Sequence, residues 1–270
     1  MKSKNIKNKI FAKNLRINVL KMIVNGRSSH IASVYSCVEI LTILFREFLK
    51  LNIKNYKNNI RNKLILSKGH AGAGLYAGLS EIGILKKKNL LNHCKNNSYM
   101  SGHVSSSVPG VDFSSGSLGQ GLGYGAGQAL FFKKKFLSKK VFVILSDGEL
   151  NEGSTWESLL FISHHKLNNL IIILDRNFYQ SIKKTEETLA LEPLKNKLNS
   201  FGFCVLEGNG HDFNFLRKAL KTKSDKPKFI IANTIKGKGV DYMENNISWH
   251  YKFPNIIESE SAISQIIKNK

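Results

Sequence analysis

With 270 residues, of which 42% are apolar and 22% charged, the chain has the composition of a folded globular protein and can bury one large core. Its 41 basic against 19 acidic residues give a formal charge of +22. The lysines are scattered, without a basic stripe interleaved with aromatics, which argues for compositional drift over a nucleic-acid partner.

A membrane-spanning helix is excluded by the lack of any run of about 18 apolar residues. The basic stretch Met1–Ile10 is not followed by an apolar signal segment. Cys37, Cys94 and Cys204 lie far apart and form no CxxC pair, as expected of reduced thiols in a cytoplasmic protein.

In chain order, the basic tip over residues 1–8 is expected to be disordered. Phe11–Val24 then carries apolar residues at helical spacing (Leu15, Val19, Leu20, Ile23). After the polar break Asn25–Ser29, Val34–Leu49 reads as a second, more buried helix. Leu64–Leu66 is a short apolar run, and Ala71–Ile82 is rich in small residues and compatible with a helix. Val104–Tyr124 is loaded with Ser and Gly, a stretch of low side-chain volume that lets backbone approach a ligand. Gly119–Phe132 reads as a Gly/Ala-faced helix. From there strands and helices alternate: Val141–Leu145, Thr155–His165, Leu170–Leu174, Cys204–Leu206, Phe213–Leu220 and Phe229–Ala232. Apolar strand runs separated by helices predict an α/β fold, a mainly parallel sheet covered on both faces, in one domain over residues 1–270.

Ligands of such sheets bind beyond the carboxyl ends of the strands. Val141–Leu145 runs into Ser146-Asp147-Gly148-Glu149, and Leu170–Leu174 runs into Asp175-Arg176-Asn177. One helix between the two strands allows them to be parallel neighbours, with Asp147 and Asn177 facing one crevice. A carboxylate and an amide carbonyl are hard oxygen ligands suited to Mg²⁺, which completes its shell with phosphates and water. Gly148 would let backbone contact a phosphate.

These residues resemble the thiamine-diphosphate fingerprint, a GDG followed about thirty residues later by Asn. The resemblance extends through Ser67-Lys68-Gly69-His70, Ser101-Gly102-His103, Pro109-Gly110-Val111 and Gly116-Ser117-Leu118-Gly119-Gln120-Gly121. It continues through Thr234–Val240, Met243-Glu244-Asn245-Asn246 and Trp249-His250. Together the motifs are similar to the N-terminal section of transketolases, especially the split bacterial type.

The resemblance implies a three-layer thiamine-diphosphate-binding fold and ketol transfer from a ketose or its phosphate to an aldose or its phosphate. It implies thiamine diphosphate with Mg²⁺, Ca²⁺ or Mn²⁺ standing as substitutes. Asp147, Asn177 and the Tyr179 carbonyl would ligate the metal. His70, Gly116, Ser117, Leu118, Asp147, Gly148, Glu149, Asn177 and His250 would surround the cofactor, and His30, His70, His103 and His250 would be catalytic. Glu152 matches an acidic residue where subunits meet, while Glu149 also reads as a structural turn acid.

The family's activating glutamate belongs to a second domain. The chain reaches Lys270 soon after Trp249-His250, so a separate C-terminal subunit is expected, in a heterotetramer with two copies of each chain. Three departures stand out: Ser146 replaces the first Gly of GDG, Ser28-Ser29-His30-Ile31 lacks the usual Gly-His-Pro-Gly form, and Tyr251 follows His250 where many members have Gly. The alternatives are another thiamine-diphosphate reaction (1-deoxyxylulose-5-phosphate synthesis or 2-oxo acid decarboxylation) and a non-catalytic basic binding protein.

Overall fold

The computed structural model describes residues 2–268. Five strands form one sheet, all parallel: β1 (Lys63–Leu66), β2 (Val141–Ser146), β3 (Leu170–Arg176), β4 (Cys204–Asn209) and β5 (Lys228–Asn233), in the order β1-β2-β3-β5-β4. The helices are α1 (Lys2–Gly26), α2 (Ile31–Ser36), α3 (Val38–Ile43), α4 (Gly72–Glu81), α5 (Gln120–Lys134), α6 (Gly153–His164), α7 (Thr185–Thr188), α8 (Leu194–Ser200), α9 (Phe213–Lys221) and α10 (Ile256–Lys268).

Continuous apolar runs in the strands reflect two buried faces. Phe142, Ile144, Ile171, Ile173 and Ile230 pack with α1 to α4 and α9 on one face. Val143, Leu145, Ile172, Leu174 and Ile231 pack with α5, α6 and α8 on the other. This strict alternation is the period of two expected of a pleated strand. The predicted three layers are present. Among the described residues, no helix is long and apolar enough to cross a membrane.

Two local expectations change, and one helix is unexpected. The N-terminal tip is helical from Lys2, because polar partners hold its first turns. Arg217 donates to Asn5 (2.8 Å), and Asn8, buried, bonds both Glu47 and Arg46 at 2.8 Å. Met1 lies outside the described residues. The helix expected over Val34–Leu49 is broken at Cys37, followed by α3 and a π-helical turn at Leu44–Phe48. Hydroxyl and thiol groups of Ser36 and Cys37 bond back to the preceding turn at 3.0 and 3.4 Å, competing with the helical ladder. Finally, α10 carries no expectation from the sequence, since only its Ala262 and Ile266 are buried.

The loop after β1 is packed without slack. A Cβ on Gly69 would stand 2.1 Å from the Ser115 carbonyl oxygen, inside any real contact distance. Gly69→Ala is therefore expected to destabilise the chain by about 2–3 kcal/mol through overpacking. Urea unfolding checks this, and an unchanged midpoint would contradict the close approach.

Candidate active site

A cavity of about 220 Å³ opens beyond the carboxyl ends of the sheet, lined by His30, Ser33, His70, His103, Gly116, Leu118, Ser146, Gly148, Asn177, Tyr179, Gln180, Ser181, Lys236 and His250. Segments at or beyond the ends of β1, β2, β3 and β5 supply His70, Ser146, Gly148, Asn177 and Lys236, so the parallel arrangement gathers residues far apart in sequence.

Strands β2 and β3 pair in register, Ser146 opposite Asp175, which brings Asp147 and the Asn177 segment side by side. Phe178, next to Asn177, adopts φ +66° and donates its N–H to Asp147 Oδ2 at 2.7 Å. A non-glycine residue held in the left-handed region is uncommon, and here it turns an amide onto a buried carboxylate. Asp147 Oδ1 accepts from Arg176 Nη1 at 3.2 Å. Burial pushes the Asp147 carboxyl up to about 7, with Arg176 opposing and Asp175 adding to the rise. Asn177 Oδ1 accepts from the Tyr179 N–H at 3.1 Å. Arg176 also bonds Thr185, Glu186 and Glu192 at 2.9, 3.2 and 2.9 Å, pinning the segment after β3 against the site.

The oxygens present suit a hard divalent cation. Asp147 and Asn177 each spend some of their lone pairs within the protein and retain others. Among the described residues no group of three or more His, Cys, Asp or Glu side chains could hold a metal. An ion here would need one carboxylate, neutral oxygens and the ligand's own phosphates. Gly148 leaves room for such a ligand: a Cβ there would meet only Leu118 Cδ1, at 3.5 Å.

Four histidines converge. The His30 ring lies 5.3, 5.6 and 4.9 Å from those of His70, His103 and His250, centroid to centroid. His30 takes φ +74°, donates its N–H to the His250 carbonyl at 2.9 Å, and has Ser29 Oγ 2.8 Å from its Nδ1. His30 thus sits at the centre of the cluster although its segment lacks the Gly-His-Pro-Gly form. Burial holds His30 down at about 4, helped by His103, Lys236 and Lys68. Burial and then Lys236 hold His250 down at about 3, and burial with Lys68 holds His70 well below its ordinary value. These three imidazoles are neutral near pH 7.

Ser117 and Glu149 do not line the cavity. Glu149 is fully buried and works as a clasp: Ser67 Oγ donates to it, as do the N–H groups of Gly119 (3.2 Å) and Ser146 (2.9 Å). Its carboxyl is raised by burial, against these hydrogen bonds. The structural reading of Glu149 fits this placement better than the cofactor contact. Asp147 lies beneath the lining, fully buried.

Sequence reasoning left Lys68, Asp175, Thr234 and Lys236 without a role. Lys68 and Asp175, both fully buried, form an ion pair beneath the site. Asp175 also accepts from Ser36 and Thr234, each at 2.5 Å, and Lys68 donates to the Ser33 carbonyl at 2.9 Å. Burial opposes the Lys68 charge, but Asp175 outweighs it and holds the ammonium above its usual value. The network ties α2 to the ends of β1, β3 and β5. The signal available was position alone: each of these residues closes an apolar strand run or lies a few places beyond its end.

A family model described as transketolase, thiamine diphosphate binding domain, matches residues 7–252. One subunit of the apulose-4-phosphate transketolase of Actinobacillus succinogenes is 36% identical over 259 residues, which cover 94% of both chains. The same-named protein of Phocaeicola vulgatus is 32% identical over 254 residues, 93% of this chain and 90% of that one. Human transketolase is 35% identical over 244 residues, 89% of this chain but 39% of the human protein. The crystal structure of transketolase from Campylobacter jejuni superposes with a TM-score of 0.90 at 31% identity, covering 96% of this chain and 42% of that one. The chain thus spans about two fifths of the full-length transketolases it matches and nearly all of the two apulose-4-phosphate transketolase subunits.

Neutral buried imidazoles have a consequence for stability. In the unfolded chain His250 ionises near 6.5, in the fold near 3. Between those values the unfolded state binds the extra proton, so the contribution of His250 shrinks as pH falls from about 6.5. The raised carboxyls of Asp147 and Glu149 act in the opposite sense, so the comparison is with His250→Gln. The stability of the original chain relative to that variant is expected to drop between pH 6.5 and 4 in urea titrations. A pH-independent difference would contradict the neutral ring.

Proposed function

This chain belongs to the transketolase family through its thiamine diphosphate binding domain, and on that premise we propose that it is the diphosphate-binding half of a two-chain transketolase. The reading is carried by one observation: Gly148 and Asn177 line a cavity whose walls hold four histidines, and Asp147 lies just beneath them, bonded to the Phe178 N–H beside Asn177. Relatives of similar length carry names that make each of them one subunit of a transketolase, which supports a separate partner chain. We place two copies of each chain in the assembly, treat residues 1–270 as one domain, and assign the protein to the cytoplasm, where three unpaired thiols are stable.

Asp147, Asn177 and the Tyr179 carbonyl are the proposed holders of Mg²⁺, and the Gly148 backbone approaches the diphosphate. Gly116 and Leu118 flank the rest of the cofactor. Thiamine diphosphate, when bound, supplies a nucleophilic carbon and an electron sink for exchanging carbon–carbon bonds beside a carbonyl.

The chain's own groups do the rest. Neutral His30, His70 and His250, with His103, present hydrogen-bond donors and acceptors to the oxygens of a ketose and an aldose. Burial makes a second proton on His30, His70 or His250 costly at neutral pH, so these rings serve as fixed hydrogen-bond donors and acceptors. One such donor placed on developing oxyanion charge lowers the barrier by on the order of 3 kcal/mol. The names of the Actinobacillus and Phocaeicola relatives include a sugar phosphate, which supports sugar phosphates as the substrate class.

Two results test this. Purified chain alone should transfer no ketol unit, and addition of the partner chain should restore turnover; robust turnover without a partner would overturn the two-chain reading. Asp147→Ala should weaken thiamine diphosphate binding in Mg²⁺ by roughly 100-fold or more in calorimetry. Unchanged affinity would move the metal elsewhere.

A further inference from the structure

Lys236 is a buried cation in the wall of the cavity, 1% exposed. Lys68, beneath the floor, has Asp175 as its counter-ion. Lys236 has no carboxylate within ion-pair distance among the described residues, and a buried ammonium without a counter-ion is costly to keep. Its position is nonetheless fixed on every side. The Ile235 N–H donates to His211 Nε2 and the Gly237 N–H to the Ala32 carbonyl, while the Lys236 carbonyl accepts from Asn245, all at 2.9 Å. Gly237 takes φ +82°, and a Cβ there would fall 2.2 Å from the Met243 carbonyl oxygen. The turn therefore requires glycine directly after the lysine.

The ammonium has two hydrogen-bond partners and lies over the Tyr179 ring, 5.8 Å from its centroid. Nζ donates to the Gln180 carbonyl at 2.9 Å and stands 3.2 Å from His250 Nδ1. An ammonium has three donors and no lone pair, so toward Nδ1 it can only donate. A neutral imidazole whose Nδ1 accepts carries its proton on Nε2. Ser33 Oγ, 3.4 Å from the same Nδ1, can add a second donor. Nε2 of His250 has no protein hydrogen-bond partner among the described residues, and His250 lines the cavity.

We propose that Lys236 is a positioning residue that locks His250 in the Nε2–H tautomer, so that His250 meets a sugar oxygen as a hydrogen-bond donor. The second half of this statement rests on the transketolase reading; the tautomer does not. The charged and titratable groups around His250 are Lys236, Lys68, His30, His70 and Tyr251. The two lysines disfavour a second proton on the ring, so its donor and acceptor ends stay distinct at neutral pH. Without Lys236 the ring is free to carry its proton on Nδ1 and to turn a lone pair toward the substrate.

The test is a long-range ¹H–¹⁵N spectrum of the full chain with ¹⁵N-labelled histidine, with His250 assigned through His250→Gln. His250 is expected to have a protonated Nε2 and a bare Nδ1. In Lys236→Met the pattern should shift to a mixture or to the Nδ1–H form, and Lys236→Arg, which keeps a donor, should restore it. In the two-chain enzyme, Lys236→Met should lower kcat about a hundredfold, and Lys236→Arg should recover most of that loss. A protonated Nδ1 in the original chain, or an unchanged His250 signal in Lys236→Met, would overturn the proposal. If Lys236→Met does not fold, the spectrum of the original chain decides alone. A chain that shows the Nε2–H form but binds no thiamine diphosphate would refute the function and leave the positioning contact standing.

Discussion

The in-register parallel pairing of β2 and β3 is the constraint on which the site depends. It sets Ser146 opposite Asp175, so the residues one and two places beyond each strand end emerge together. A slip of one residue would reverse the faces of Val143, Leu145, Ile172 and Leu174, which are packed beneath α5, α6 and α8. The core that stabilises the domain therefore also fixes the distance between Asp147 and the Asn177 segment. Glu149 and Arg176 extend that control outward. The first fastens Ser67, Gly119 and Ser146 around one carboxylate, and the second fastens Asp147 to Thr185, Glu186 and Glu192.

The site divides into two electrostatic layers. Beneath it, Lys68 and Asp175 neutralise each other and spend their remaining hydrogen-bonding capacity on Ser33, Ser36 and Thr234. Above them, imidazoles kept neutral by burial face an open cavity together with Lys236, which burial and the Lys68 charge pull down to about 8. A floor already balanced in charge, under walls that are polar but mostly uncharged, suits a ligand that brings its own anionic groups and metal. Chemistry on sugar oxygens then takes place among donors that need no reorganisation.

The sequence made some of this visible and hid the rest for identifiable reasons. Asp147 and Asn177 could be found because each follows an apolar run of strand length, and period and position sufficed. His70, His103 and His250 stood in loop motifs. His30 reaches the cluster through a left-handed backbone and a hydrogen bond to His250, 220 positions away, which no local pattern records. Lys68 and Lys236 were hidden by composition: in a chain with 41 basic residues, two buried lysines look like the exposed ones. The break between α2 and α3 belongs with a bond from Ser36 to Asp175, 139 positions distant, and helical periodicity could not reveal it. Helix α10 failed to register because it buries so little of its apolar surface, with Ile256 and Ile257 both largely exposed.

The most direct measurement is an anomalous difference map from crystals of the chain grown with thiamine diphosphate and Mn²⁺. One metal peak is expected within about 2.5 Å of both Asp147 and Asn177 side-chain oxygens, shared with the diphosphate. A map with the diphosphate bound but the metal held elsewhere, or with those two side chains turned apart, would contradict the assignment on which the function rests.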